Sequence, residues 1–204
     1  MTFKLPKLIA TSVVRGSAQG ESHGGIYTVD FDKKEAEQHV DWNTSDIDFE
    51  GRGADRGLRG ICFHDEDIYI AASDELFCYN QNFESNNSFK NRYLKHAHEI
   101  CRIEKRIFLT STGFDSLLSF NLETKRFDWG FQLRREYDQW TGGLFDPRNS
   151  IGPRPVNDFH INMVDVNEDG IFLSGLKTEG LLHIGADNRV RKVCELPLGT
   201  HNPK

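Results

Sequence analysis

Runs of three apolar residues followed by small or hydroxylated ones recur along the chain, each answered a few residues later by a second apolar run. The clearest case is IFLTSTGFDSLLSFNLE at residues 107–123, which reads as two short strands joined by a polar turn. Three other segments copy it: LIATSVV with GIYTVDFD (8–14 and 25–32), IYIAASDELFCYNQN (68–82) and IFLSGLKTEGLLHIGAD (171–187). The second strand starts 8 residues after the first in the 68–82 copy and 10 after it in the 107–123 and 171–187 copies, so the copies share a register. Four such matches mark an internal repeat.

Each pair is flanked by further strand candidates. Ahead lie RGICF (59–63), HEICRI (98–103) and HINMVDV (160–166); behind lie EAEQHVDWN, residues 83–89, RFDWGFQL and RVRKVCEL. Four antiparallel strands per unit of about 40 residues is the layout of a β-propeller blade. The pattern predicts an all-β, single-domain propeller over 1–204, with four recognisable four-stranded blades at about 8–45, 57–94, 96–134 and 158–198. Unit starts at Arg59, His98, His160 and His201 are 39, 62 and 41 residues apart, so the middle interval carries an insertion, assigned as a loop over 135–157. The first copy begins at its second strand and the chain reaches THNPK, the start of a first strand. Either that C-terminal strand completes the first blade and closes the ring, or the chain is a fragment of a larger propeller.

The phrases LRGICFHDEDIYIAASDELFCYN and HINMVDVNEDGIFLSGLKTEGLLHI resemble, at the level of the repeat, the gluconolactonase-like, strictosidine-synthase-like and NHL-type propellers. That resemblance covers nearly the whole chain. For the enzymes of the group it implies a metal at one channel mouth, held by Glu, Asn and Asp from different blades, a ligand set with no full match here.

Charge narrows the partners. A formal charge of −6 and a pI near 5.7 argue against nucleic acid and acidic membranes and favour a small polar or anionic molecule or a protein. Cys62, Cys78, Cys101 and Cys194 contain no CxxC pair, which excludes a zinc knuckle. The N-terminal apolar run is too short for a signal or membrane segment, so a cytoplasmic chain with reduced thiols is expected.

In a propeller the inner strands run the same way, so their first residues meet at one mouth of the channel. Arg59, His98, His160 and His201 are therefore expected together, with Glu99 and Asn162 beside them and His23 lent by the loop GESHG (20–24). Neutral imidazoles at His98, His160 and His201 would suit one divalent metal, whereas Arg59 would favour an anion; polar residues merely lining a wet wall are the third reading. Counted back from the second strand, Asn162 rather than His160 falls in register with His98. The spacing of Cys62, Cys101 and Met163, each three residues after a unit start, favours His160 instead.

Three motifs carry less. DVNEDG (165–170) has the first half of a calcium loop, but Leu173 and Leu176 stand at its later ligand positions, so a hairpin turn is expected. GESHG matches GxSxG with no helix to follow. GRGADRGLRG (51–60) could wrap an anion but lacks a P-loop's Lys-Ser/Thr. The leading expectation is a soluble ligand-binding propeller with a His/Arg-lined mouth. A metal-dependent hydrolase or lactonase and a non-catalytic interaction platform are the alternatives.

Overall fold

The computed structural model describes residues 6–18, 20–43 and 57–203, and it is a four-bladed β-propeller of four antiparallel sheets. Blade 1 contains β1 (Leu8–Thr11), β2 (Gly25–Asp30) and β3 (Glu35–Asp41). Blade 2 contains β4 (Leu58–His64), β5 (Asp67–Ala72), β6 (Glu75–Tyr79) and β7 (Ser85–Lys90). Blade 3 is built from β8 (Ile100–Ile103), β9 (Arg106–Ser111), β10 (Ser116–Asn121), β11 (Arg126–Glu136) and β12 (Gln139–Phe145), and blade 4 from β13 (Ile161–Asn167), β14 (Gly170–Gly175), β15 (Gly180–Ile184) and β16 (Val190–Glu195). Among the described residues no helix is long and apolar enough to cross a membrane.

Burial along the strands explains why these segments pack as blades. In β5, β9 and β14 the later residues of each strand are buried, because every such strand is flanked by two others and by neighbouring blades. Apolar clusters fill the spaces between blades 1 and 2 (Ile26, Trp42, Ile70), 2 and 3 (Tyr69, Leu94, Phe120) and 3 and 4 (Leu117, Phe131, Leu173). A fully buried ring such as Phe120 contributes roughly 2–3 kcal/mol of transfer free energy.

Two expectations change in detail. Among the described residues blade 1 has three strands, and residues 200–203 add no ladder to it; His201 borders the channel and Asn202 bonds to Glu99 there instead. β1 is consequently an edge strand, half-exposed where β5, β9 and β14 are buried. The insertion assigned to 135–157 is only partly loop, because β12 pairs with β11 as a fifth strand of blade 3. Its turn has Tyr137 at φ 47° and Asp138 at φ 64°, the two positive values of a type I′ turn. Tyr-Asp lacks the Asn-Gly signature of such turns, so residue type hides it.

Inner strands approach closely at the channel. The Gly60 N–H donates to the His98 carbonyl at 2.8 Å. A Cβ on Gly60 would lie 2.6 Å from Ile100 N and 2.8 Å from His98 O, both backbone atoms. Gly60→Ala is therefore expected to cost about 2 kcal/mol through strain between blades. Urea denaturation reads this directly, and an unchanged midpoint would show that the blades can separate freely.

Candidate functional site at the channel mouth

Strand register settles which residues are equivalent. Ile70, Leu109 and Leu173 face Ile61, Ile100 and Val164 respectively. Counting back from those partners aligns Arg59, His98 and Asn162. Two residues earlier stand Gly57 (φ 152°), His96 (φ 55°) and His160 (φ 55°), all in positive-φ backbone. His160 is thus the counterpart of His96, and the register count rather than the Cys/Met spacing was the sound guide. Met163 pairs with Ser174 and Asp165 with Phe172, so it is Asp165 that matches Cys62 and Cys101, which pair with Tyr69 and Phe108. The Cys101 thiol lies 3.6 Å from Asp165 Oδ1. Burial pushes the Cys62 thiol up to about 12, which makes it an inert thiol.

The mouth itself contains two cavities that share Arg59, His98 and His201. One, of about 320 Å³, is also bordered by Thr11, Glu99 and Asn162; the other, of about 340 Å³, by Arg15, His96 and His160. The His98 ring centroid is 5.4 Å from that of His160 and 5.9 Å from that of His201. Six of the seven predicted site residues therefore converge. His23 takes another place: its ring is fully buried edge-on to Trp42, with its backbone bound to Trp42 and Val14, and it borders neither cavity.

The hydrogen-bond network fixes the form of His98. Its Nδ1 lies 2.8 Å from the His96 carbonyl, which can only accept, so Nδ1 carries the proton. Thr112 Oγ1 is 3.0 Å from the same nitrogen and gives its own hydrogen to the Ile161 carbonyl at 2.5 Å, so it too accepts from Nδ1–H. Nε2 is left as a lone pair. Burial, with Arg59 next in weight, holds the imidazole down to about 3. Burial also lowers His160, with His201 and Lys177 adding to it, and lowers His201, with Arg59 and Arg15 adding to it. All three rings are neutral at physiological pH.

Asp115 sets the rim. It is fully buried at φ 44°, and its carboxylate accepts the backbone N–H groups of Asp158 (2.6 Å), Phe159 (3.1 Å) and His160 (3.0 Å). Val156 N–H adds a bond to the Gly113 carbonyl. Desolvation raises the Asp115 carboxyl, while the three N–H groups pull the other way. Opposite, Asn202 Nδ2 donates to Glu99 Oε2 at 2.8 Å. Arg15, Thr112, Asp115 and Asn202 escaped sequence reasoning, because none occupies a repeated strand position.

Among the described residues no three His, Cys, Asp or Glu side chains are grouped to hold a metal ion. With Nδ1 of His98 tied to His96 and Thr112, and Nδ1 of His160 3.1 Å from Asn157 Oδ1, the imidazoles are held by the protein rather than gathered on a common point. DVNEDG forms the expected hairpin, Asn167 pairing with Gly170. Ser22 donates to Asp41, away from the mouth and with no helix after it. Residues 51–56 of GRGADRGLRG lie outside the described residues.

No protein-family model matches the chain, and no curated protein matches it. Solved structures do. A chain of the mitotic checkpoint complex matches with a TM-score of 0.50 at 9% identity, over 95% of this chain and 61% of that one. The Neurospora crassa Pan2 WD40 domain matches with a TM-score of 0.42 at 12% identity, over 90% and 62%. Virginiamycin B lyase from Staphylococcus aureus matches with a TM-score of 0.44 at 9% identity, over 82% and 61%. The chain spans about three fifths of the length of each of these. At such identities the likeness is one of fold.

Proposed function

Starting from a four-bladed propeller with a polar mouth, we propose that the protein binds a small anionic molecule there. The observation behind the proposal is the position of Arg59, which borders both cavities and whose charge bears on all three neutral imidazoles. Burial is the main reason those rings stay unprotonated, and the positive potential of Arg59 that adds to it is also one that attracts an anion. A guanidinium offers paired donors suited to a carboxylate or phosphate, and neutral imidazoles add hydrogen bonds without a second charge to desolvate. Lining and volume, about 320 and 340 Å³, suit a small metabolite more than a polymer.

Thermal denaturation with and without millimolar succinate and inorganic phosphate tests this. A ligand of the folded state raises Tm by mass action. Arg59→Gln should weaken the tighter anion about tenfold or more, the usual worth of one charged hydrogen-bonding group. If neither anion shifts Tm, or Arg59→Gln binds as well as the parent, the mouth is no anion site.

A further inference from the structure

Asn162 is the mouth residue that the imidazoles and Arg59 do not account for. Its side chain is 1% exposed and borders the 320 Å³ cavity. Neither its Nδ2 nor its Oδ1 has a hydrogen-bond partner among the described residues. Ser174 Oγ, also fully buried, is unpartnered as well. The two share an origin. In blade 3 the hydroxyl of Thr110, the counterpart of Ser174, accepts the N–H groups of His98 and Glu99. In blade 4 the ladder slips between Ile161 and Met163, and Ser174 receives no such donors. The slip leaves a complete carboxamide, one donor and one acceptor in a single plane, at the cavity wall. Native proteins rarely bury such a pair unmet.

We infer that Asn162 reads a primary carboxamide on the ligand, so that the anion held at Arg59 is the charged end of a small amido acid. This rests on the anion site proposed above and supplies the chemistry of the other end. An amide presents N–H and C=O side by side and closes a two-bond ring with Asn162. A ketone or ester satisfies only Nδ2, an ammonium only Oδ1, and a second carboxylate sets oxygen against oxygen. The remaining N–H of a primary amide needs an acceptor at the same cavity. His98 borders that cavity, and the lone pair of its Nε2 is left available by the network. Glu99 is held by Asn202 Nδ2.

The experiment is isothermal titration of malonamate, succinamate and glutaramate against the matching methyl ketones, in which CH₃ replaces NH₂: acetoacetate, levulinate and 5-oxohexanoate. The inference expects at least one amido acid to bind about tenfold tighter than its ketone. Asn162→Leu, similar in volume and apolar, should erase that preference, weakening the amido acid more than the ketone; Asn162→Ala serves as the second variant should the leucine protein not fold. Equal binding of amide and ketone by the parent protein overturns the amide reading and leaves the anion site standing. Binding of neither series removes the anion site and the amide reading with it. A preference that survives in both variants assigns the amide to other residues and also overturns the inference.

Discussion

Replacing Asp115 with alanine is expected to lower stability by about 3–4 kcal/mol, the largest single effect at the mouth. Three backbone N–H groups, those of Asp158, Phe159 and His160, end on its carboxylate, and each loses a charged partner. Asp158 is exposed and can turn to water, which keeps the total below three full penalties. Alanine at φ 44° adds about 1 kcal/mol of left-handed backbone strain, within that total. Asp115→Gly removes the carboxylate without the strain, so its loss relative to the parent reports the hydrogen bonds and the difference between the two variants reports the strain. Asn keeps one acceptor oxygen and should lose about half as much. Urea denaturation of all three variants provides the measurement. Losses below about 1 kcal/mol in both Ala and Gly would mean that water replaces the carboxylate. Because His160 is the last of the three N–H groups, Asp115 links the stability of blade 3 to the shape of the site.

Acid should unfold the protein through His98. The group has an ordinary pKa near 6.5 and is held at about 3 in the fold. Above pH 6.5 both states are neutral and nothing depends on pH. As pH falls from 6.5 towards 3, the unfolded chain takes up a proton that the folded chain refuses, so stability declines over that window. At 1.36 kcal/mol per unit the limit is several kcal/mol; screening at a part-open mouth reduces it to about 2 kcal/mol between pH 7 and pH 4. His160 and His201 shift in the same direction and steepen the decline. The quantity to compare is the difference in stability between pH 7 and pH 4, in the parent and in His98→Asn. The variant should lose about 2 kcal/mol of that difference, the share of His98, whatever its absolute stability. An identical difference in both proteins would place the acid sensitivity on other groups.

Much of the architecture was legible because its signals are local and repeated. IYIAAS, IFLTST and IFLSGL each state the same strand, and their spacing alone puts Arg59 at the second position of one inner strand and His98 two residues ahead of the next. Four copies average out the ambiguity that any one short apolar run would have. The candidate site was legible only where it followed that spacing. His160 was placed at the mouth but matched to the wrong partner, since a one-residue slip in β13 and a left-handed residue before it have no mark in residue type. His23 sits in the same kind of polar loop as the mouth residues, and only packing against Trp42 takes it into the interior.

By itself, then, the sequence determined an all-β propeller of four repeats and brought Arg59 and His98 to the channel ends of the inner strands, leaving Asn162 and His160 as rivals for the matching place, because a period of two within strands and of about 40 between blades is written in the side chains. Tertiary structure decided the rest: the fifth strand of blade 3, the three-stranded first blade, the tautomer of His98, and the burial of an unpaired Asn162. Each depends on backbone groups tens of residues apart, such as Thr112 with Ile161 and Asp115 with His160, and contacts of that range are set by how the blades close on one another rather than by any local pattern.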